Sequence, residues 1–398
     1  MDVLRVPVEA AGGTLASARP VHVQYRPGSD VVVRYTAEVS WNGGPLQRET
    51  LVAASAIDGP LPGTITVTAD THDGPLSVGV WRWPFDPVLV GLGTAVTSAG
   101  VADILGADQR SLTLEVVAYR PTERAVVRVS SAAGDVVSYL KVVAPHETES
   151  IRARHDALIR AGVPAPAVTA TDGDLGVLVL EALEGPTLRE LIKSDADRWV
   201  SADEFNRLAD AFAHADLVGA ALPSRLTDGA LHARMLSSVA PALRPQLDEL
   251  AATFEDAPAP SPDVTIHGDL HEAQVVVRDG HIVGVLDIDD AGAGAPVDDR
   301  ANLIARLIFR STLDPARHER VAAYAEMLRA ASLERFDAQT LDRHTSAALI
   351  GLATGPFRVQ SPGWRADVAA LVDVACARMS SMRELSARPH DGLTRGCA

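Results

Sequence analysis

The sequence predicts an α+β protein in which two β-rich blocks precede a long helical region. Three observations carry that reading. Residues 1–107 contain β-branched runs broken by Pro and Gly, and residues 112–143 contain three more such runs in quick succession. From Glu147 onward the apolar spacing turns helical. The 398 residues suffice for two or three domains with a large core. The expected divisions are a β-rich N-terminal cap over 1–107, a small antiparallel β lobe over 108–185 and a helical lobe over 186–398.

In the first block, Val21–Tyr35 reads as two strands around a Pro-Gly turn, with further strands at Thr64–Thr68 and Leu76–Trp83. Phe85–Leu92 reads as a loop leading into a short helix at Val101–Leu105. The second block, LTLEVVAYRP, RAVVRVSS and VVSYLKVV, reads as three consecutive antiparallel strands. The blocks echo each other. Tyr25-Arg26-Pro27 with Val32-Val33-Arg34 recurs as Tyr119-Arg120-Pro121 with Val126-Val127-Arg128, at one constant offset. Two related hairpins, from a duplicated β unit or from shared turn chemistry, both account for the echo.

A helix over Glu147–Ala161 ends at Gly162-Val-Pro-Ala-Pro, and Val177–Leu180 follows as a short buried strand. Ser201 and Glu204 have the spacing of a capping box, opening a long helix toward Leu222. Further helices are expected at Pro315–Ala331, at Asp337–Thr354 with Asp337 as N-cap, and at Arg365–Met382. The polar tail from Arg388 is expected to fray.

Composition narrows the function. There are 36 Lys and Arg against 52 Asp and Glu, a formal charge of −16. That balance argues against a general nucleic-acid binder, which needs cations in excess. Two cysteines, Cys376 and Cys397, make neither a disulfide framework nor a thiolate metal site. The N-terminus lacks a basic segment followed by an apolar run, and no apolar stretch approaches the ~20 residues needed to cross a bilayer. The expectation is a cytoplasmic protein with no membrane or nucleic-acid partner.

Residues 264–290 carry the chemistry. His267-Gly268-Asp269-Leu270-His271 follows a short apolar strand, and Val275–Arg278 and Ile282–Leu286 form a hairpin turned by Asp279-Gly280. The hairpin sets Gln274 beside Asp287, so Asp269, Gln274 and Asp287 can converge. Such an arrangement suits phosphoryl transfer. One carboxylate orients the attacking hydroxyl, and carboxylate and amide oxygens hold Mg²⁺ against nucleotide phosphates.

The block resembles the aminoglycoside phosphotransferase and choline-kinase-like superfamily, whose H-G-D-x-H-x-x-N is matched by His267, Gly268, Asp269, His271 and Gln274. The resemblance implies a bilobal protein-kinase-like fold that uses ATP and Mg²⁺, with the cap as an addition to the small lobe. It implies Asp269 as catalytic base and Asp287 and Gln274 as metal ligands. Gln274 stands where Asn is common, and H-x-D-x-H-x-x-Q also resembles the maltokinase branch. Gly294-Ala295-Pro296 with Asp299-Arg300-Ala301 resembles the family's G-D-P-x-x-D-L-A, with Ala295 in place of Asp and Asp299 expected to brace the catalytic loop. The Tyr119–Arg124 turn occupies the place of a Gly-rich loop. Lys141 resembles the lysine that pairs nucleotide phosphates. Its partner is expected at Glu147 or Glu149, with Glu149 preferred, and Glu181 and Leu183 flank the adenine-binding linker. His267 and His271 are expected to be structural, and Asp289 to be either solvated or a further metal contact.

The activity implied is ATP-dependent phosphorylation of a hydroxyl on an aminoglycoside, aminosugar or sugar. Acidic helix residues Asp203, Glu204 and Asp210 would suit a polyamine if they faced it, and would look the same on a solvated face. The rival readings are a nucleotide-binding pseudokinase with a scaffold or regulatory role, and a phosphohydrolase with a dinuclear Asp/His metal site.

Overall fold

The computed structural model describes residues 2–72, 74–194, 196–217, 221–258, 261 and 264–387. A short helix, α1 (Asp2–Ala10), precedes five antiparallel strands: β1 (Gly13–Arg26), β2 (Asp30–Trp41), β3 (Leu46–Ala56), β4 (Ile65–Thr71) and β5 (Gly74–Arg82), in the order β1-β2-β3-β5-β4. Leu4 and Val8, one helical turn apart, press into Ala37, Val39, Leu51 and Val80 on one face of this sheet. The β-rich reading of residues 1–107 includes no helix there, and Pro7 lies inside it. Proline removes one backbone bond, and the buried Leu4/Val8 pair outweighs that loss.

Helices α2 (Leu92–Ala95) and α3 (Ser98–Leu105) lead to a second sheet of β6 (Leu112–Arg120), β7 (Arg124–Ser131), β8 (Val136–Val142), β9 (Val168–Asp172) and β10 (Val177–Glu181), ordered β6-β7-β8-β10-β9. Every other residue of β7 points inward, so Ala125, Val127 and Val129 meet Leu89, Leu92, Leu140 and Val177. Helix α4 (Thr148–Arg160) crosses between β8 and β9. The tip of the β6–β7 hairpin is clasped by the first sheet. Arg34 donates to the Tyr119 carbonyl (2.7 Å), Gln24 and Arg26 bond Glu123, and Trp81 donates to the Tyr119 hydroxyl.

The helical lobe holds α5 (Leu188–Lys193), α6 (Ala202–Ala213), α7 (Arg225–Val239) and α8 (Arg244–Glu255). After these come the short strands β11 (Val264–Ile266), β12 (Val275–Arg278), β13 (His281–Val285) and β14 (Gly292–Gly294). Four longer helices close the chain: α9 (Pro296–Leu313), α10 (His318–Ser332), α11 (Ala338–Arg358) and α12 (Trp364–Ala387). Helix α9 lies at the centre, packed against α10, α11 and α12. Asp337 caps α11 as its residue type requires, accepting the Thr340 N–H at 2.9 Å. Ser201 forms no such bond, and α6 stops at Ala213. Glu204 is instead drawn inward to the β12–β13 turn, where it accepts from Ile282 N–H and His281 and pairs with Arg207. A buried backbone donor out-competes the helix's own amide for that carboxylate. The tail from Arg388, including Cys397, lies outside the described residues.

The architecture is therefore α+β, with antiparallel sheets followed by a helical lobe.

Candidate active site

The catalytic loop leaves β11 and is held from beneath. Asp299, in the first turn of α9, accepts the backbone N–H groups of His267 (2.7 Å) and Gly268 (2.9 Å), which is the bracing expected of it. His267 is fully buried. Its Nδ1 accepts the Asp269 N–H at 3.3 Å, leaving a protonated Nε2 that donates to the Leu286 carbonyl at 3.0 Å. One ring thus ties the Asp269 loop to the residue before Asp287. Gly268 adopts φ +87°, and a Cβ there would press on the Asp290 carbonyl and Leu222 at 3.0 Å, so only glycine fits.

The Asp269 carboxylate is 39% exposed and faces a cavity of about 470 Å³. Asn302 donates to its Oδ1 at 3.1 Å and to the Leu270 carbonyl at 3.0 Å. Arg225 and Arg306 stand 3.5 and 3.7 Å from the same oxygen, and His271 Nε2 lies 3.9 Å from the other. Burial pushes the Asp269 pKa up, but the surrounding positive charge, Arg306 foremost, outweighs it and holds the group below the usual aspartate range. His271 accepts the Ala273 N–H on Nδ1, and burial together with Arg306 lowers its pKa to about 4, so it is neutral at pH 7.

The β12–β13 hairpin turns on Asp279 and Gly280, both at positive φ, which is the primed turn that Asp-Gly favours. At its open end Leu286 donates to the Gln274 carbonyl at 2.8 Å, setting Gln274 next to Asp287. Asp287 takes a left-handed conformation, φ +57°. Its oxygens meet Arg124 (2.7 Å), from the strand after the Tyr119–Arg124 turn, and Lys141 (3.2 Å), from β8. Lys141 is 3% exposed and also pairs with Asp289. Burial raises the Asp287 and Asp289 pKa values, but Lys141 above all drives both below normal. Asp289 is thus no solvated loop residue but a second carboxylate on Lys141.

Asp269 thus stands on the loop after β11, Gln274 and Asp287 are neighbours at the open end of the hairpin, and Lys141 lies on β8 against Asp287. The lysine's partner differs from the glutamate expected. Glu149 is exposed in the first turn of α4, and Glu147 folds back to cap Ala144 N–H. Neither pairs with Lys141. The lysine's partners are Asp287 and Asp289, and two turns further on helix α4 brings His155 up to Asp289. Its Nδ1 donates to the Pro166 carbonyl, and its Nε2 lies 3.8 Å from Asp289. Glu181 ends β10 at the surface, and Leu183 covers Gly284 of the hairpin, where a Cβ would lie 2.5 Å from the leucine methyl. Asn302, Arg306 and Arg225 were not anticipated. The signal for Asn302 and Arg306 was the polar stripe Asp299, Asn302, Arg306 and Arg310 at helical spacing on α9, whereas Arg225, on α7, carried none. Asp203 and Asp210 do not line the Asp269 cavity, and Asp210 is paired to Arg335.

The model of the phosphotransferase enzyme family, APH, matches residues 105–336, more than half of the chain. The chain belongs to that family. The match covers the second sheet, the Asp269 loop and the Lys141–Asp287 cluster, and it makes the protein a kinase-type phosphotransferase. None of the curated proteins compared with the chain is significantly similar. Solved structures similar in fold include the aminoglycoside phosphotransferase APH(4)-Ia, at 17% identity and TM-score 0.49 over 72% of this chain and 99% of that one. A choline/ethanolamine kinase family protein from Mesorhizobium loti is 16% identical at TM-score 0.46, over 73% and 94%. The amicoumacin kinase hAmiN is 16% identical at TM-score 0.47, over 69% and 89%.

The phosphotransferase site suits a hard divalent cation. Gln274 Oε1 and Asp289 Oδ1 are buried acceptors with no hydrogen-bond partner, close in sequence to the Asp287 carboxylate. Buried oxygens are rarely left so unless something else takes them up. Among the described residues there is no group of three or more His, Cys, Asp and Glu able to hold a metal, which is what a dinuclear hydrolase would need.

Proposed function

We propose that this phosphotransferase moves the γ-phosphoryl group of ATP to a hydroxyl of a small sugar-like molecule. The observation that carries this reading is the Asp269 carboxylate. It is ionised, aimed into a cavity, and tied through His267 to Leu286, the residue before Asp287. An aspartate of lowered pKa is a weak base, so its work is to accept the acceptor's O–H as a hydrogen bond and fix the oxygen's line of approach. It takes the proton only late. That suits a loose transition state in which the nucleophile carries little charge. Asn302 fixes the rotamer by occupying Oδ1, and Oδ2 is left toward the hydroxyl.

ATP would lie between the second sheet and the hairpin, with backbone groups of the Glu181–Leu183 linker on adenine and Leu183 beneath it. Lys141 and Arg124, now on Asp287 and Asp289, are the cations placed to meet phosphate oxygens. Asp287 and Gln274 would hold Mg²⁺, with Asp289 in reach, and the ion would neutralise charge on the phosphates. The pseudokinase reading calls for decay at Asp269, Lys141 or Asp287, and all three are present.

The test is ADP release from ATP and Mg²⁺ across aminoglycosides, aminosugars, neutral sugars and sugar acids. Turnover on one class that disappears in Asp269→Ala is the expected result. ATP bound without turnover on any class favours the pseudokinase, and failure to bind ATP overturns the reading.

A further inference from the structure

The cavity in front of Asp269 is lined by four arginines from separate elements, Arg120 at the end of β6, Arg225 on α7, Arg306 on α9 and Arg358 at the end of α11, against the carboxylates of Asp228, Asp269 and Asp290, so positive charge is in excess by one. Only part of that charge is answered within the protein. Arg225 is committed to the Gly268 carbonyl and to Asp269. Arg306 approaches Asp269 no closer than 3.7 Å, and its Nε is buried with no acceptor. Arg120 reaches Glu123 only at 4.0 Å, and Glu123 already serves Gln24 and Arg26. Arg358, half-buried, has no hydrogen-bond or ion-pair partner among the described residues. His232, on α7 in the same wall, has a buried Nδ1 without a partner.

Two histidines from different parts of the molecule register the resulting potential. Burial first, and then the charge of Arg358, holds both His232 on α7 and His22 on β1 at a pKa of about 4. Neither Lys141 nor Asp287 lines this cavity, so the cluster lies on the acceptor side of Asp269. Half-buried guanidinium groups left without counter-charge are costly, and Arg is the side chain best matched to carboxylate and phosphate.

Building on the kinase reading, we propose that the acceptor is an anionic alcohol. Its hydroxyl meets Asp269, while a carboxylate or phosphate group on the same molecule is held by Arg358 and Arg306, with Arg120 closing the pocket. A cavity of about 470 Å³ suits a molecule of monosaccharide to small disaccharide size. The positive surplus, with Arg358 and Arg306 lacking close counter-charges, favours an anion over a polycation, which sets this site against aminoglycosides.

The experiment measures binding of size-matched ligands to the full chain by calorimetry. Glucose, glucosamine, glucuronate, gluconate and glucose 6-phosphate are compared in wild type, Arg358→Gln and Arg306→Gln, with MgATP affinity recorded for each variant. At least one anionic ligand is expected to bind tenfold or more tighter than glucose and glucosamine. Whether that ligand is a sugar acid or the phosphate ester tells carboxylate from phosphate. The advantage should fall at least tenfold in whichever variant folds with the wild-type melting temperature, while MgATP affinity stays within twofold. The proposal is overturned if glucose or glucosamine binds as tightly as the anions, if no anion binds, or if the preference survives in the variants. Loss of MgATP binding in wild type would instead sink the kinase reading, and the ligand series reports on the pocket's charge independently of it.

Discussion

The two sheets run their strands in the same order, β1-β2-β3-β5-β4 and β6-β7-β8-β10-β9, all antiparallel. Their first hairpins turn alike as well. Arg26 faces Asp30 around Pro27-Gly28, and Arg120 faces Arg124 around Pro121-Thr122, with Gly28 and Thr122 both at positive φ. This agreement in topology and register favours duplication over coincident turn chemistry. The chemistry was not duplicated. Val126 pairs with Lys141, whereas the matching Val32 pairs with Ala54. Between β8 and β9 the chain inserts α4 with His155, whereas between β3 and β4 it makes only the loop 57–64. One sheet supplies the lysine that meets Asp287 and Asp289, and the other serves as a clamp on that sheet's hairpin. A fold does not carry a function, and a few side chains on it do.

The sharpest break in the comparison is at the third strand. Lys141→Ala is expected to lower turnover by on the order of 10²–10³, the usual scale for losing one charge-stabilising donor. Ala54→Ser, at the matching place in the first sheet, should stay within twofold. Steady-state ADP release on both variants checks the pair, and equal losses would contradict the division of labour.

The clamp itself is tested next. Trp81 is 6% exposed and packs with Val32, Val52, Ala54 and Tyr119 between the sheets. Trp81→Ala should cost about 3–5 kcal/mol in urea unfolding. A loss under 1 kcal/mol would mean that the sheets are joined elsewhere.

A smaller effect of opposite sign is expected at the matched turns. Thr122 is a β-branched residue at φ +64°, held by Asp86 on its N–H at 3.0 Å. Thr122→Gly should relieve about 1 kcal/mol, and Gly28→Ala, at φ +72°, should cost about the same. Denaturant midpoints that move in the same direction would refute the claim that only the second turn stores strain.

The smallest signal is in the pH dependence. His22, in the first sheet, and His271 and His232, in the helical lobe, are depressed to about 4, each first by burial. A lowered histidine binds fewer protons folded than unfolded. Stability should therefore fall as pH drops from about 6.5 toward 4 and then level off from this source. Glu272 acts in a lower window. Burial raises its pKa, but Arg310, His271 and Arg189 bring it to about 2, so its contribution is lost between about 4.5 and 2. His22→Gln should flatten the upper window slightly and leave the lower one unchanged in urea titrations at stepped pH.

Legibility in the sequence followed locality. The Asp279-Gly280 hairpin, the Asp337 cap, and the placing of Gln274 beside Asp287 at the hairpin's open end depend on short-range rules, and each could be read directly. That Lys141 has no glutamate partner on α4 could not, because it depends on which face of α4 turns inward. That rotation is set by Ile151, His155 and Leu158 entering the interior. The capping box at Ser201 failed for the converse reason, since Glu204 found a better partner 78 residues away in Ile282. The arginines of the acceptor cavity come from four distant segments, and no spacing rule joins them.

On the proposed function, only the second sheet, with Asp287 and Gln274, would form a metal-dependent nucleotide site. Calorimetric titration of ATP with and without Mg²⁺, on wild type and Asp287→Ala, tests it most directly. One ATP is expected per chain despite two matching sheets, with binding at least tenfold tighter with Mg²⁺ and that gain abolished in Asp287→Ala. Two ATP per chain, or a Mg²⁺ dependence that survives the substitution, would contradict it.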